Sequence, residues 1–123
     1  MSAGDQTPTP SAPKPTVTAE DLAAIDLRVG RVVAVDAFPE ARRPALKLTV
    51  DFGSLGTLRT SAQVSNYRAD ELVGRQVVGA VNLGTRRIAG FASQFLVLGA
   101  VETDGTVRLL APDAELPPGT PVA

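Results

Sequence analysis

The sequence predicts an all-β fold: a small barrel of the OB type with a short N-terminal helix and a C-terminal extension. Three observations point there. Several short runs alternate apolar with polar residues, the period-two pattern of half-buried strands. Gly-, Ser- and Asp-containing turns separate these runs at hairpin spacing. One short helical stretch falls between the third and fourth strands of roughly six, the order of an OB barrel.

Each element has its own signal. Residues 1–17 read as a disordered Pro-rich tail, with Pro8, Pro10, Pro13 and Pro15 set among Ser, Thr and Ala. Such a segment buries too little apolar surface to offset its ordering entropy. A Pro-rich docking peptide is the alternative reading. Residues 18–123 form the domain. Thr18 can cap a short helix, with Glu20 and Asp21 near its positive end. Leu22 and Ile25 share one face of it. In the first strand, Leu27, Val29, Arg31, Val33 and Val35 alternate with Arg28, Gly30, Val32 and Ala34. In the second, Leu46, Leu48, Val50 and Phe52 alternate with Lys47, Thr49 and Asp51. The Gly53–Gly56 turn should fold that strand back onto Thr57–Gln63. Arg68–Gly74 reads as one or two helical turns closed by Gly74. Val77–Leu83 is a strand broken by Gly79, which marks a bend or a close backbone approach. Phe95–Val101 and Thr106–Leu110 pair across Glu102–Gly105. Pro112–Pro121 reads as an edge or turn-rich extension.

Composition narrows the function. The 123 residues contain no His, Cys or Trp. Disulfides, Cys or His zinc sites, thiol nucleophiles and Ser-His triads are therefore excluded. No stretch of about 18 apolar residues occurs, so no membrane-spanning helix is expected. The N-terminus lacks a basic region followed by an apolar block, so it does not read as a secretory signal. A soluble cytoplasmic protein is the expectation.

Candidate catalytic groups are sparse. Asp70 and Glu71 diverge by about 100° on a helix and form no carboxylate pair. Asp36 and Glu40 are expected to balance Arg42 and Arg43. Gly53-Ser-Leu-Gly56 lacks the Lys-Ser/Thr of a phosphate loop and precedes a strand. Tyr67 should pack over one end of the barrel. No catalytic residue, metal site or cofactor is predicted.

Charge placement says more than net charge. The formal total is −1. Residues 1–25 hold one basic and three acidic residues, a net −2. Residues 26–99 hold ten basic against six acidic, a net +4, and nine of those ten are Arg. Residues 100–123 hold one against four, a net −3. Arginine offers a planar fork that matches phosphate bidentately and stacks on bases. In an OB barrel, nucleic acid crosses the middle-strand face between the loop after strand one and the loop between strands four and five. Arg42 and Arg43 fall in the first of these loops, near Lys47. Arg86 and Arg87 fall in the second, and Arg59 lies between the clusters in sequence. The competing reading is that exposed arginines merely keep a barrel soluble. Phe38 and Phe91 sit in the same two loops, where each could stack a base, cover an apolar pocket or pack on the other.

At these residues the chain resembles a known family. Leu27-Arg-Val-Gly-Arg-Val-Val33, Phe38-Pro-Glu-Ala-Arg42, Pro44-Ala-Leu-Lys-Leu48, Ser61-Ala-Gln63 and Arg86-Arg-Ile-Ala-Gly-Phe91 with Ser93 are similar to the tRNA-binding domain family. The first Phe-Pro run and the later Arg-Arg run resemble in particular its CsaA-type branch of secretion-associated chaperones. The likeness covers about residues 22–123. It implies an OB fold assembled as a homodimer. It implies binding of tRNA, or of unfolded and precursor polypeptides together with the SecA export motor. It adds Ser93 to the candidate RNA-binding set of Arg42, Arg43, Lys47, Arg59, Arg86 and Arg87. For a polypeptide ligand, Phe38, Ile88 and Phe91 are candidates to line an apolar pocket. The family's common Ser-x-Gly-Met is here Ser93-Gln94-Phe95-Leu96, a departure that agrees with the chaperone branch.

Overall fold

A computed structural model describes residues 12–123. Most of the predicted tail, residues 1–11, lies outside the described residues. Residues 12–17 are exposed and have no regular secondary structure. Helix α1 (Ala19–Ala23) starts at Thr18 as expected. The Thr18 hydroxyl accepts from the Asp21 amide at 3.1 Å, and the Asp21 carboxylate accepts from the Thr18 amide at 2.9 Å. This reciprocal cap satisfies two otherwise orphan donors.

The main sheet runs β3 (Thr57–Ala62), β2 (Leu46–Asp51), β1 (Leu27–Ala37), β4 (Gln76–Ala80), β7 (Leu96–Val97), all antiparallel. Contacts of β3 with β6 (Phe91–Ser93) and β7 bring the far edge round, making a nearly closed barrel. Helix α2 (Ala69–Leu72) lies between β3 and β4 and is followed by Gly74 at φ +89°. Two two-stranded ribbons complete the fold: β5 (Arg86–Ile88) with β6, and β8 (Gly99–Val101) with β9 (Val107–Leu109). The predicted run Phe95–Val101 is thus divided, its first part on β4 and its second on β9.

The first strand resolves its alternating sets in an unexpected way. Gly30 and Val32 face the barrel interior, while Leu27 and Val29 face the C-terminal segment. A bulge between Val32 and Ala34 then shifts the phase, so Val33 is exposed and Val35 packs on the core. One extra residue in a strand does this by turning the following side chains to the opposite face. The second strand keeps strict alternation, with Leu48, Val50 and Phe52 buried.

Phe52 and Phe95 cross edge to face at the centre, 4.9 Å apart and inclined at 83°. Two glycines make room for them. A Cβ on Gly30 would stand 2.7 Å from the Phe52 ring, and one on Gly79 2.7 Å from Phe95. Gly79 is therefore a close approach and not a break in β4. The C-terminal segment is tied down through the buried Gln76. Its amide donates to the Ala114 carbonyl and accepts from the Leu116 amide, both at 2.8 Å. The chain ends as β10 (Pro121–Val122), paired to the start of β1.

Candidate nucleic-acid interface

Two segments project on one side of the barrel. One is the β1–β2 loop, residues 38–45, which carries Arg42 and Arg43. The other is the β5–β6 hairpin, which carries Arg86 and Arg87. The second pair was expected in a loop and instead sits on a short strand. That pairing gives the arginines a rigid base: Arg86 lies opposite Ser93 and Arg87 opposite Ala92.

The two segments are joined by a small apolar cluster separate from the main core. Phe38 (4% exposed) and Phe91 (9%) meet at 5.5 Å, with Ala45 beside them and Ala41 and Ile88 around them. Of the three roles open to these rings, packing on each other is the one observed. Two cations cover them. The Lys47 ammonium lies 4.7 Å from the Phe38 ring centre and 5.2 Å from that of Phe91, and the Arg59 guanidinium 4.8 Å from Phe91. Arg59 also pairs with Asp36 at 3.8 Å. Lys47 and Arg59 thus brace the two rings from the same outer face that carries Ser61. The expected pairing of Asp36 and Glu40 with Arg42 and Arg43 is not found: Asp36 goes to Arg59.

Ser93 is buried. Its hydroxyl accepts from the Ser61 amide at 3.3 Å and lies 3.1 Å from the Thr60 hydroxyl, which donates to the Phe95 carbonyl at 2.7 Å. This chain helps close β3 onto β6. Asp70 and Glu71 are spent on their helix start, the first on Arg68 at 3.0 Å and the second accepting from the Arg68 amide at 2.7 Å. The Tyr67 hydroxyl accepts from the Leu109 amide at 3.0 Å, and Arg75 lies over its ring.

Among the described arginines, Arg28, Arg31, Arg59, Arg68 and Arg108 each pair with a carboxylate, and Arg75 stacks on Tyr67. Arg42, Arg43, Arg86 and Arg87 do neither. These are the four on the two projecting segments. Arg87 donates to the Gly90 carbonyl at 3.1 Å and leans on its own hairpin. The other three line one open cavity of about 800 Å³ between the segments. Its remaining wall includes Ala45, Ile88 and Ala89, with Ser61 and Gln63 from the end of β3. In the sequence Ser61 and Gln63 stand in a family motif with no role of their own. Their signal was the alternation of β3, which buries Ala62 and Val64 and leaves 61 and 63 on the outer face.

The marked titration shifts lie elsewhere, on the β8–β9 hairpin. The Thr106 amide and hydroxyl hold the Asp104 carboxyl below its ordinary range, and Glu102 raises the Arg108 guanidinium. No helix among the described residues is long and apolar enough to cross a membrane.

Comparison with known proteins matches residues 27–121 to the family described as "Putative tRNA binding domain". The chain belongs to the tRNA-binding domain family. Among solved structures, this tRNA-binding-family domain is similar to the chaperone CsaA of Bacillus anthracis (TM-score 0.85, 44% identity, 89% of this chain and all of that one). The CsaA chaperone protein of Picrophilus torridus is similar too (TM-score 0.83, 43% identity, 88% of this chain and all of that one). It is thus of the CsaA type. Among sequences it is 34% identical to the methionine–tRNA ligase of Thermotoga maritima over 115 residues, and 36% identical to that of Deinococcus radiodurans over 121. Those matches cover 94% and 96% of this chain and 18% of each ligase. The chain therefore spans less than a fifth of those relatives.

Proposed function

We propose that this protein is a non-catalytic, cytoplasmic RNA-binding module, spanning residues 18–123, that engages tRNA across the arginine-lined cavity. The unpaired state of Arg42, Arg43, Arg86 and Arg87 carries the reading. Of the nine barrel arginines, Arg28, Arg31, Arg59 and Arg68 are occupied by carboxylates and Arg75 by a ring, while these four have no carboxylate partner, Arg87 meeting only a carbonyl of its own hairpin. Guanidinium groups left without internal partners are suited to phosphates. Lys47 and Arg59 act as positioning residues by holding the Phe38–Phe91 pair, and Ser93 supports the face from within. The test is Arg42→Glu with Arg86→Glu. Affinity for tRNA should fall at least tenfold at low salt, with the melting temperature held, because exposed charges move stability little. Unchanged affinity would refute the reading.

A second reading is favoured by the CsaA likeness, which runs the whole length of those chaperones. Here the client is an unfolded or precursor polypeptide, with SecA as a further partner. Ile88 on the cavity wall supplies apolar contact, while Phe38 and Phe91 would have to separate to offer theirs. Suppression of aggregation that survives the double Glu variant, with no tRNA bound by the parent, would favour this reading.

Either ligand would meet two sites at once in a homodimer. Leu22 (55% exposed) and Ile25 (38%) line an apolar groove with Leu27 and Val122. A neighbouring depression is lined by Leu98, Leu110 and Leu116. Contiguous apolar surface of this kind marks an interface, and we assign it to a second copy of the chain. Leu22→Glu with Ile25→Glu should give a monomer by sedimentation. A dimer that persists would place the interface elsewhere.

A further inference from the structure

We infer that the arginine-lined cavity is built to take one unstacked nucleotide, with its base in the slot and its phosphate at the rim. The inference rests on the RNA reading above and goes beyond backbone contact. Its first support is the distribution of chemistry around the cavity. Arg42, Arg43 and Arg86 line it with cationic forks. Beside them the alkyl groups of Ala45, Ile88 and Ala89 form an apolar part of the lining. A surface that tracked only a phosphate chain would need charge and no such wall. A volume of about 800 Å³ lies in the range of pockets that hold one small organic ligand.

The second support is the pair Ser61 and Gln63. Among the described residues neither side chain has an internal hydrogen-bond partner, and both border the cavity. A free primary amide offers a donor and an acceptor side by side. That pattern complements the N6 and N7 edge of adenine. A base held against the apolar wall would meet Gln63 along its edge, and we assign that base as adenine, whose N6 and N7 edge the amide pairs and whose purine ring covers more of the wall.

The third support is strain at the rim. Ala89 and Gly90 are the two central residues of the β5–β6 turn, at φ +48° and +82°. Two positive φ values in a two-residue hairpin favour Asn, Asp or Gly at the first position. An alanine there carries backbone strain that glycine would not. It is the one described non-glycine residue at positive φ, and it borders this cavity. Strained residues persist where a site requires them. What alanine provides, and glycine and asparagine do not, is a small apolar group on the wall.

The experiment titrates the full-length protein at low salt with AMP, UMP, inorganic phosphate and, separately, total tRNA. AMP should bind at least tenfold more tightly than phosphate and more tightly than UMP. Gln63→Ala should weaken AMP about tenfold, abolish the preference over UMP and leave phosphate unchanged. Ala89→Gly keeps the turn and should weaken AMP several-fold, again sparing phosphate. If tRNA binds but AMP binds no better than phosphate, the arginines read backbone alone: the nucleotide site falls and the RNA reading stands. If tRNA does not bind, both fall. If AMP binds and neither substitution affects it, the ligand lies outside this cavity and the inference is wrong.

Discussion

Thr60 shows how one hydroxyl supports the interface from within. It lies fully buried in β3, donates to the Phe95 carbonyl and meets Ser93, which in turn holds the Ser61 amide. Valine has nearly the same shape and none of that capacity. Thr60→Val should therefore cost about 1–2 kcal/mol, because two buried polar partners lose a bond. Denaturant unfolding would measure it, and an unchanged midpoint would mean that the network adds nothing to closure. At this scale the sequence was partly legible. Ser93 stood out by its place in a motif, but its partner lies 33 residues away, and no local pattern reports that pairing. The division of arginines into paired and unpaired was hidden for the same reason. Asp36 sits six residues from Arg42 in sequence, yet the sheet places it beside Arg59.

Elements were easier to read where one face alone is buried. The second strand alternates without exception, and its hairpin turn is spelled by Gly53 and Gly56. The first strand was harder, because Val32-Val-Ala-Val35 fits either phase. Only pairing with β2 reveals the bulge that expels Val33. The β5–β6 ribbon escaped as a strand pair because three residues a side is too short to display a period. Its position depends on Phe91, which ties it to the β1–β2 loop through Phe38. Phe91→Ala should destabilise the domain by about 3 kcal/mol. It should also weaken tRNA binding, since Arg86 and Arg42 would no longer be held at a set spacing. Stability lost with full affinity retained would show that the ribbon needs no tether.

For the whole molecule, the near-neutral net charge of −1 conceals a basic barrel between acidic ends. The fold sharpens this further by pairing four of the nine barrel arginines with carboxylates, stacking Arg75 on Tyr67 and leaving the other four on one side. Electrostatic binding by so few groups predicts a definite salt response. Each phosphate contact contributes a slope of about −0.7 to −0.9 in log affinity against log salt. Four arginines without a carboxylate partner therefore predict a slope near −3 per protomer. Ordinary ion-pair surfaces would give the same total charge without that focus. The most direct measurement is the salt dependence of tRNA affinity, for the parent protein and for the variant with Arg42, Arg43, Arg86 and Arg87 all changed to Ala. The parent should show a slope near −3, and the variant little remaining affinity and a slope near zero. A parent slope near zero, or a variant that binds tRNA as the parent does, would contradict the account.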